Sequence, residues 1–170
     1  MAYQLEEIQR RIAGDPAGFI AECDSAFQRR LEDAADRILE RMKESPIVLL
    51  SGPSGSGKTT TAMKLEQELE RRGVQTHTIS LDNYFKTLDR RTAPRNAEGD
   101  IDYESPKLLD MDLLDETFTK LTRGEWVIVP KFEFARQMRN DSRGTPLKLG
   151  KNEIAIFEGI HALNDDIAGR

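Results

Sequence analysis

A single cysteine in 170 residues excludes any intrachain disulfide, so Cys23 carries no cross-link. Histidine is almost as scarce. His77 and His161 are the only two, and neither takes part in an H-E-x-x-H pattern, which argues against a zinc site of that kind. Positive charge is in deficit too. Twenty-five Lys and Arg against 30 Asp and Glu give a formal net charge of -5, spread along the chain, so the basic face of a nucleic-acid binder is missing. No apolar run approaches the roughly 18 residues of a membrane span, and the N-terminus lacks the basic-then-apolar order of a secretory signal. A soluble, cytoplasmic protein is expected, with neither nucleic acid nor membrane as partner. Internal repeats and low-complexity tracts are also lacking. The length suits one buried core and is short for two.

What is present divides into a helical extension over 1–45 and a main domain over 46–170. Leu5, Ile8 and Ile12 predict a helix over 3–12, stopped by the "GDP" at 14–16. From Phe19 to Met42, the residues Ile20, Cys23, Phe27, Leu31, Ala34, Ile38 and Met42 predict one face of a long helix. That face either packs on the domain that follows or meets a second copy in a homo-oligomer.

After Pro46 the pattern changes. "IVLL" at 47–50 predicts a strand buried on both faces, and 59–73 a helix closed by Gly73. "THTISLD" at 76–82 is a second strand, 105–124 a helix capped by Ser105 and ended by Gly124, and "EIAIFEG" at 153–159 a third buried strand. Strands alternating with helices predict an α/β fold, a parallel sheet flanked by helices. Two segments break the rhythm. Residues 82–104 form a long aperiodic stretch of the kind that is usually functional or disordered. Residues 126–149 predict an appended antiparallel hairpin of two extended strands around "NDSRG", with Pro130 at an edge. Trp126 and Phe134 alternate there with valine and isoleucine and read as hairpin core.

Gly52, Pro53, Ser54, Gly55, Ser56, Gly57, Lys58 and Thr59 match G-x-x-x-x-G-K-[ST], the signature of P-loop NTPases, with Thr60 following. The glycines let consecutive amide protons point inward, and the following helix adds partial positive charge, so the loop suits the phosphates of a nucleotide. Lys58 is expected to reach the β- and γ-phosphates, and the Thr59 hydroxyl to ligate Mg²⁺. Parallel strands share one carboxyl edge, which brings Asp82 to the same cleft as a candidate general base. Glu158 ends the third strand where an acid can hold Mg²⁺ directly or through water. Asp102, in the long loop, is a candidate for substrate hydroxyls. Arg90, Arg91 and Arg95 form a small basic cluster there, read as a solvated loop or as a flap over phosphate.

"GPSGSGKTT", "ISLDNYF", "GDIDYESP", "VPKFEFARQMR" and "FEGIHALND", in this order, resemble the uridine kinase and phosphoribulokinase family from about residue 46 to 166. The likeness is greatest to bacterial uridine kinase-like proteins with an N-terminal extension. It implies a nucleoside kinase moving the ATP γ-phosphate to a ribose 5′-hydroxyl. A phosphoribulokinase-like or pantothenate kinase-like enzyme, or a non-catalytic nucleotide-binding module, is the alternative. By the same resemblance, Asp82 takes the place of the base, and Tyr84 and Phe85 line the acceptor site. Asp102 holds the ribose hydroxyls, and Glu158 sits on the metal. The hairpin covers the acceptor's base, with Phe132, Phe134, Gln137 and Arg139 on it. His161 reads equally as an acceptor-site contact and as packing. The chain departs from the family at Phe132 and Gln137, where uridine kinases show a tyrosine and a histidine, so the hydrogen bonds that would read uracil are not assured. An amide at 137 still offers both donor and acceptor. The arginine-bearing lid expected after the "EG" strand is also absent before Arg170, which implies weak or no turnover by residues 1–170 alone.

Overall fold

The computed structural model describes residues 3–169. The outer ends of the segments expected at 1–45 and 46–170 lie outside the described residues. Helix α1 (Leu5–Gly14) ends at Asp15, whose backbone (φ -146, ψ 84) leaves the helical region. The same residue starts α2 (Pro16–Arg41): its side chain accepts from the Gly18 amide, and Pro16 brings a preset φ to the first turn. The "GDP" stretch is therefore both a stop and a start, and α2 begins before Phe19.

Strand β1 (Ile47–Leu50) runs into the phosphate loop and α3 (Lys58–Arg71). Next come β2 (Gln75–Ser80), a 3-10 turn (Leu81–Tyr84), the long loop, a second 3-10 turn (Pro106–Leu108) and α4 (Met111–Thr122). Strands β3 (Val127–Val129), β4 (Phe132–Glu133), β5 (Met138–Arg139) and β6 (Thr145–Leu147) precede β7 (Glu153–Glu158) and the short α5 (Asp165–Ala168).

The parallel sheet has the order β1-β7-β2. Its register puts Leu50, Glu158 and Ser80 side by side at the carboxyl edge. Three chemistry-bearing segments leave the sheet at that line: the phosphate loop, the turn with Asp82, and the segment after Glu158. Strand β7 is the one buried on both faces, with Ile154, Ala155, Ile156 and Phe157 at 0 % exposure. The expectation that 47–50 is doubly buried is corrected: β1 is only half-buried, because among the described residues it has a partner on one side.

Alternation along β7 divides the core in two. Ala155 and Phe157 meet Leu81, Tyr84, Leu114 and Leu121, while Ile154 and Ile156 meet Leu65, Leu69 and Val74. Leu31 and Ala35 of α2 enter the second cluster, so the predicted apolar face of that helix packs on α3, although Ile20 stays exposed. Beside this contact the buried Glu68 accepts from Arg71 (2.8 Å) and Arg72 (2.6 Å), and Arg72 also pairs with Asp36 of α2. Among the described residues no helix is long and apolar enough to cross a membrane.

Two sequence expectations change here. Ser105 does not cap the fourth helix. Leu109 is extended and bridged to Phe85, which breaks a continuous helix from 105, and Asp110 caps α4 by accepting from the Leu113 amide (3.3 Å). The hairpin is two nested ladders, β3–β6 outside and β4–β5 inside, interrupted at Pro130 and turned through a 3-10 tip at Phe134–Arg136. Only one face of the outer ladder is packed. Val127, Val129 and Leu147 are buried there, and Trp126 projects from the other side at 66 % exposure. Phe134, at 61 %, lies on the tip beyond the ladder, so neither aromatic is hairpin core.

Candidate active site

The phosphate loop owes its shape to local chemistry. Gly55 and Gly57 adopt φ of 73 and 84, a left-handed conformation that is costly for other residues, and Gly57 delivers the chain directly into α3. Gly52, Pro53, Ser54, Gly55, Ser56 and Gly57 connect β1 to that helix, and Thr60 lies exposed in its first turn. The Lys58 ammonium donates to the Pro53 carbonyl at 3.0 Å and so curls back over its own loop. The Ser51 hydroxyl donates to the Ile160 carbonyl (3.0 Å), tying the loop's entry to the segment that follows Glu158.

A cleft of about 410 Å³ opens above the carboxyl edge of the sheet. Ser54, Gly55, Lys58 and Thr59 line one side, Asp82 and Phe85 another, and Glu158, Gly159 and Ile160 a third. Asp82 stands in the 3-10 turn after β2, its amide donating to the Ser80 hydroxyl (3.3 Å). Burial raises its carboxyl above the usual range, and the charges of His161 and Lys58 partly offset that. A carboxylate made more basic by burial, with a lysine in reach to keep it ionised, has the character of a general base. Thr59 and Glu158 bring oxygen donors to the same cleft, a set that suits Mg²⁺. Among the described residues no group of three or more His, Cys, Asp or Glu is placed to enclose a metal. A Mg²⁺ shared with phosphate oxygens needs no such cage.

A second cavity, of about 240 Å³, adjoins the first. Phe85, Leu88, Leu108, Phe132 and Phe134 make it apolar, and Lys86, Tyr103 and Gln137 are its polar side chains. Phe85, Tyr103 and Phe134 belong to both cavities. The rings meet edge to face, Phe85 with Phe132 at 5.6 Å and Phe132 with Phe134 at 5.1 Å between centroids. Asn83, beside Asp82, accepts from the Phe132 amide (3.3 Å) and so joins the hairpin to the turn that carries Asp82. Gln137 closes the tip at φ 51 and ψ 42, and its amide nitrogen donates to the Tyr103 hydroxyl at 3.4 Å.

Other predicted residues are placed elsewhere. Tyr84 is in the core against Phe157 with no exposed surface. Its hydroxyl lies beside Thr117, with a pKa pushed up to about 12 by burial. Asp102 does not line the cleft. Its carboxylate accepts from the Glu104 amide (3.1 Å), shaping the turn that presents Tyr103 and Glu104 there instead. Arg139 is held by Asp110 (2.6 Å) and Asp141 (2.8 Å) and anchors the hairpin to the start of α4. His161 follows the cleft wall, close enough to Asp82 to act on its charge, and its Nε2 is buried without a hydrogen-bond partner. Arg91 pairs with Asp89, and Arg95 donates to the carbonyls of Gly99 and Arg90, so this cluster braces its own loop. Tyr103, Glu104, Gly159, Ile160, Lys86, Leu88 and Leu108 are the cleft and cavity residues that sequence reasoning missed. "DIDYESP" marks the neighbourhood of the first two without telling which side chain turns inward.

Comparison with known proteins agrees with this geometry. Residues 47–168 match the model of the phosphoribulokinase / uridine kinase family. A uridine kinase of Schizosaccharomyces pombe is 35% identical over 117 residues, which cover 69% of this chain and 25% of that protein. A uridine kinase of Staphylococcus aureus is 32% identical over 126 residues, 74% of this chain and 58% of its own length. The chain thus spans only part of the length of these relatives. Among solved structures, a protein described as a possible uridine kinase of Bacillus stearothermophilus aligns with a TM-score of 0.64 and 20% identity, covering 84% of this chain and 76% of that one. A D-glycerate 3-kinase of Cryptococcus neoformans aligns at 0.56 and 20%, covering 78% of this chain and 52% of that one. At that identity the two structures speak for the fold alone, an α/β P-loop kinase architecture. With the family model spanning most of the chain and a phosphate loop, Asp82 and Glu158 meeting at one sheet edge, this chain belongs to the phosphoribulokinase / uridine kinase family of ATP-dependent kinases.

Proposed function

We propose that the chain carries the donor and acceptor sites of a nucleoside kinase that moves the ATP γ-phosphate to a ribose 5′-hydroxyl. The observation that carries this reading is the shared wall. Phe85, Tyr103 and Phe134 face both the phosphate cleft, where Asp82 stands, and an aromatic cavity large enough for a flat ring system. An acceptor spanning the two would present its hydroxyl to Asp82 and its other end to the rings.

In this mechanism Asp82 takes the proton as the hydroxyl oxygen forms its bond to the γ-phosphorus, the bond to the β-phosphate oxygen breaks, and ADP leaves. Lys58 turns from the Pro53 carbonyl to the β- and γ-phosphate oxygens, while the loop amides and the start of α3 hold the remaining charge. Mg²⁺ bound by Thr59 and Glu158 would neutralise charge developing between the β- and γ-phosphates.

The test, in a protein that also carries the arginine-bearing lid, is single-turnover ADP formation with uridine, other nucleosides, sugar phosphates and pantothenate as acceptors, alongside ATP binding. Asp82→Asn is expected to keep ATP binding and lose transfer by about 10²–10⁴-fold. A fully active Asp82→Asn protein would sink the assignment of the base. Transfer to pantothenate or a sugar phosphate with no nucleoside used would sink the nucleoside.

A further inference from the structure

The aromatic cavity has few ways to read a hydrogen-bonding edge. Five of its side chains, Phe85, Leu88, Leu108, Phe132 and Phe134, offer none. Gln137 spends one amide donor on Tyr103, and its backbone carbonyl accepts from the Leu88 amide (3.0 Å). The tip residue is thereby held from two sides, in a left-handed conformation that few residues other than glycine and asparagine adopt.

Tyr103 occupies the decisive place. It comes from the long loop and bonds the hairpin tip, and its half-exposed ring lines both cavities. Asp102 sets the direction of that ring. Its carboxylate accepts from the Glu104 amide, and its own amide donates to the Pro94 carbonyl (2.9 Å), which fixes the turn on either side of Tyr103.

We propose that Tyr103 is a specificity-determining residue that, with Phe85 and Phe134, selects an alcohol whose far end is a flat group held by ring contacts rather than by hydrogen bonds. The proposal rests on the acceptor reading above and narrows it. A pyrimidine gains stacking in such a cavity, but its polar edge loses water without full replacement, and that loss removes most of its advantage over an apolar ring.

The probes are uridine and the C-riboside that carries phenyl in place of the base. Each is titrated calorimetrically into the 170-residue chain in the presence of Mg²⁺ and β,γ-methylene-ATP. The phenyl riboside is expected to bind at least as tightly as uridine. Tyr103→Ala should weaken it about three- to tenfold, the range of one ring contact. Tyr103→Phe, which keeps the ring and releases Gln137, should leave the phenyl riboside within about twofold and tighten uridine relative to it. Uridine binding tenfold tighter than the phenyl riboside to the unaltered chain overturns the proposal. So does an unchanged ratio in Tyr103→Phe together with unchanged affinities in Tyr103→Ala. Failure of the kinase reading is separate, because it shows as absent ADP formation with every acceptor even when the arginine-bearing lid is supplied, whereas these ratios are read from binding alone. If neither riboside binds while the nucleotide analogue does, the proposal is overturned along with the ribose acceptor.

Discussion

Gly159→Ala tests whether packing behind the cleft sets the position of Asp82, the proposed base. Gly159 follows Glu158 at the end of β7, and a Cβ built there would lie 2.9 Å from Leu81 Cβ and 3.3 Å from its Cδ1. Carbon atoms rest at about 3.5–4.0 Å, so the two segments would have to separate by roughly 0.6–1.1 Å. Leu81 has 1 % exposure and cannot rotate away, and its nearest atom is the rigid Cβ. Overpacking of this kind costs about 1–3 kcal/mol, which in a domain of this size lowers Tm by about 2–12 °C. Because Asp82 is the next residue after Leu81, the same displacement moves the proposed base, and a misplacement near 1 Å costs on the order of 10²-fold in transfer. Thermal melts paired with ATP titration, and single-turnover ADP formation in a protein that carries the lid, separate these effects: lower Tm, nearly intact ATP binding, slower transfer. A Gly159→Ala protein with unchanged Tm and rate would refute the claim that Leu81 and Gly159 jointly place Asp82.

Three further outcomes follow from the electrostatics. Burial raises the Asp82 pKa, so its contribution to stability is full below the unfolded value of about 3.9 and is lost as pH rises through the folded pKa. Asp82→Asn should therefore melt higher than the unaltered chain at pH 7 and similarly at pH 4, and a lower Tm at pH 7 would contradict this. Glu68 behaves oppositely. Its pKa is lowered to about 2 by Arg71 and Arg72, so its stabilisation is complete above an unfolded value of about 4.3 and fades as pH falls toward 2. The urea midpoint of Glu68→Gln should lie below that of the unaltered chain at pH 7, with the gap narrowing near pH 3 and closing toward pH 2, and a constant gap would exclude the ion pairs as its source. Asp110→Ala removes the cap of α4 and the anchor of Arg139, at about 1–2 kcal/mol, and a urea midpoint equivalent to less than about 0.5 kcal/mol would show that neither bond matters.

Among the elements, the three strands of the parallel sheet and α3 were legible because their signals are local. A short run of apolar or β-branched residues, a glycine after a helix and the spacing of the phosphate loop do not depend on distant partners. The 3-10 turn was not legible. Side chains three apart share a side there. Asp82 and Phe85 therefore both face the cleft, and Tyr84 between them goes to the core, although "LDNYF" shows no period that separates them. Asp102 and Tyr103 pose the same problem. The acid has the functional look, but its carboxylate is spent on a backbone amide, and the ring beside it enters the cleft.

Arg139 and the helix start show a related limit. Ser105 and Asp110 are both competent caps by residue type, and the choice fell to Asp110 because Leu109 bridges to Phe85 and the Asp110 amide donates to the Tyr84 carbonyl, residues far back along the chain. Once Asp110 is placed, it draws Arg139 from the hairpin, 29 residues away, and removes that guanidinium from the acceptor side. What the sequence determined by itself is the donor half of the proposed site: the phosphate-loop motif and the strands whose parallel order brings Asp82 and Glu158 to it. Only the tertiary structure decided the acceptor half, because its side chains come from an aperiodic loop and a folded-over hairpin. Their directions are set by contacts between residues far apart in the chain, and no local pattern records those contacts.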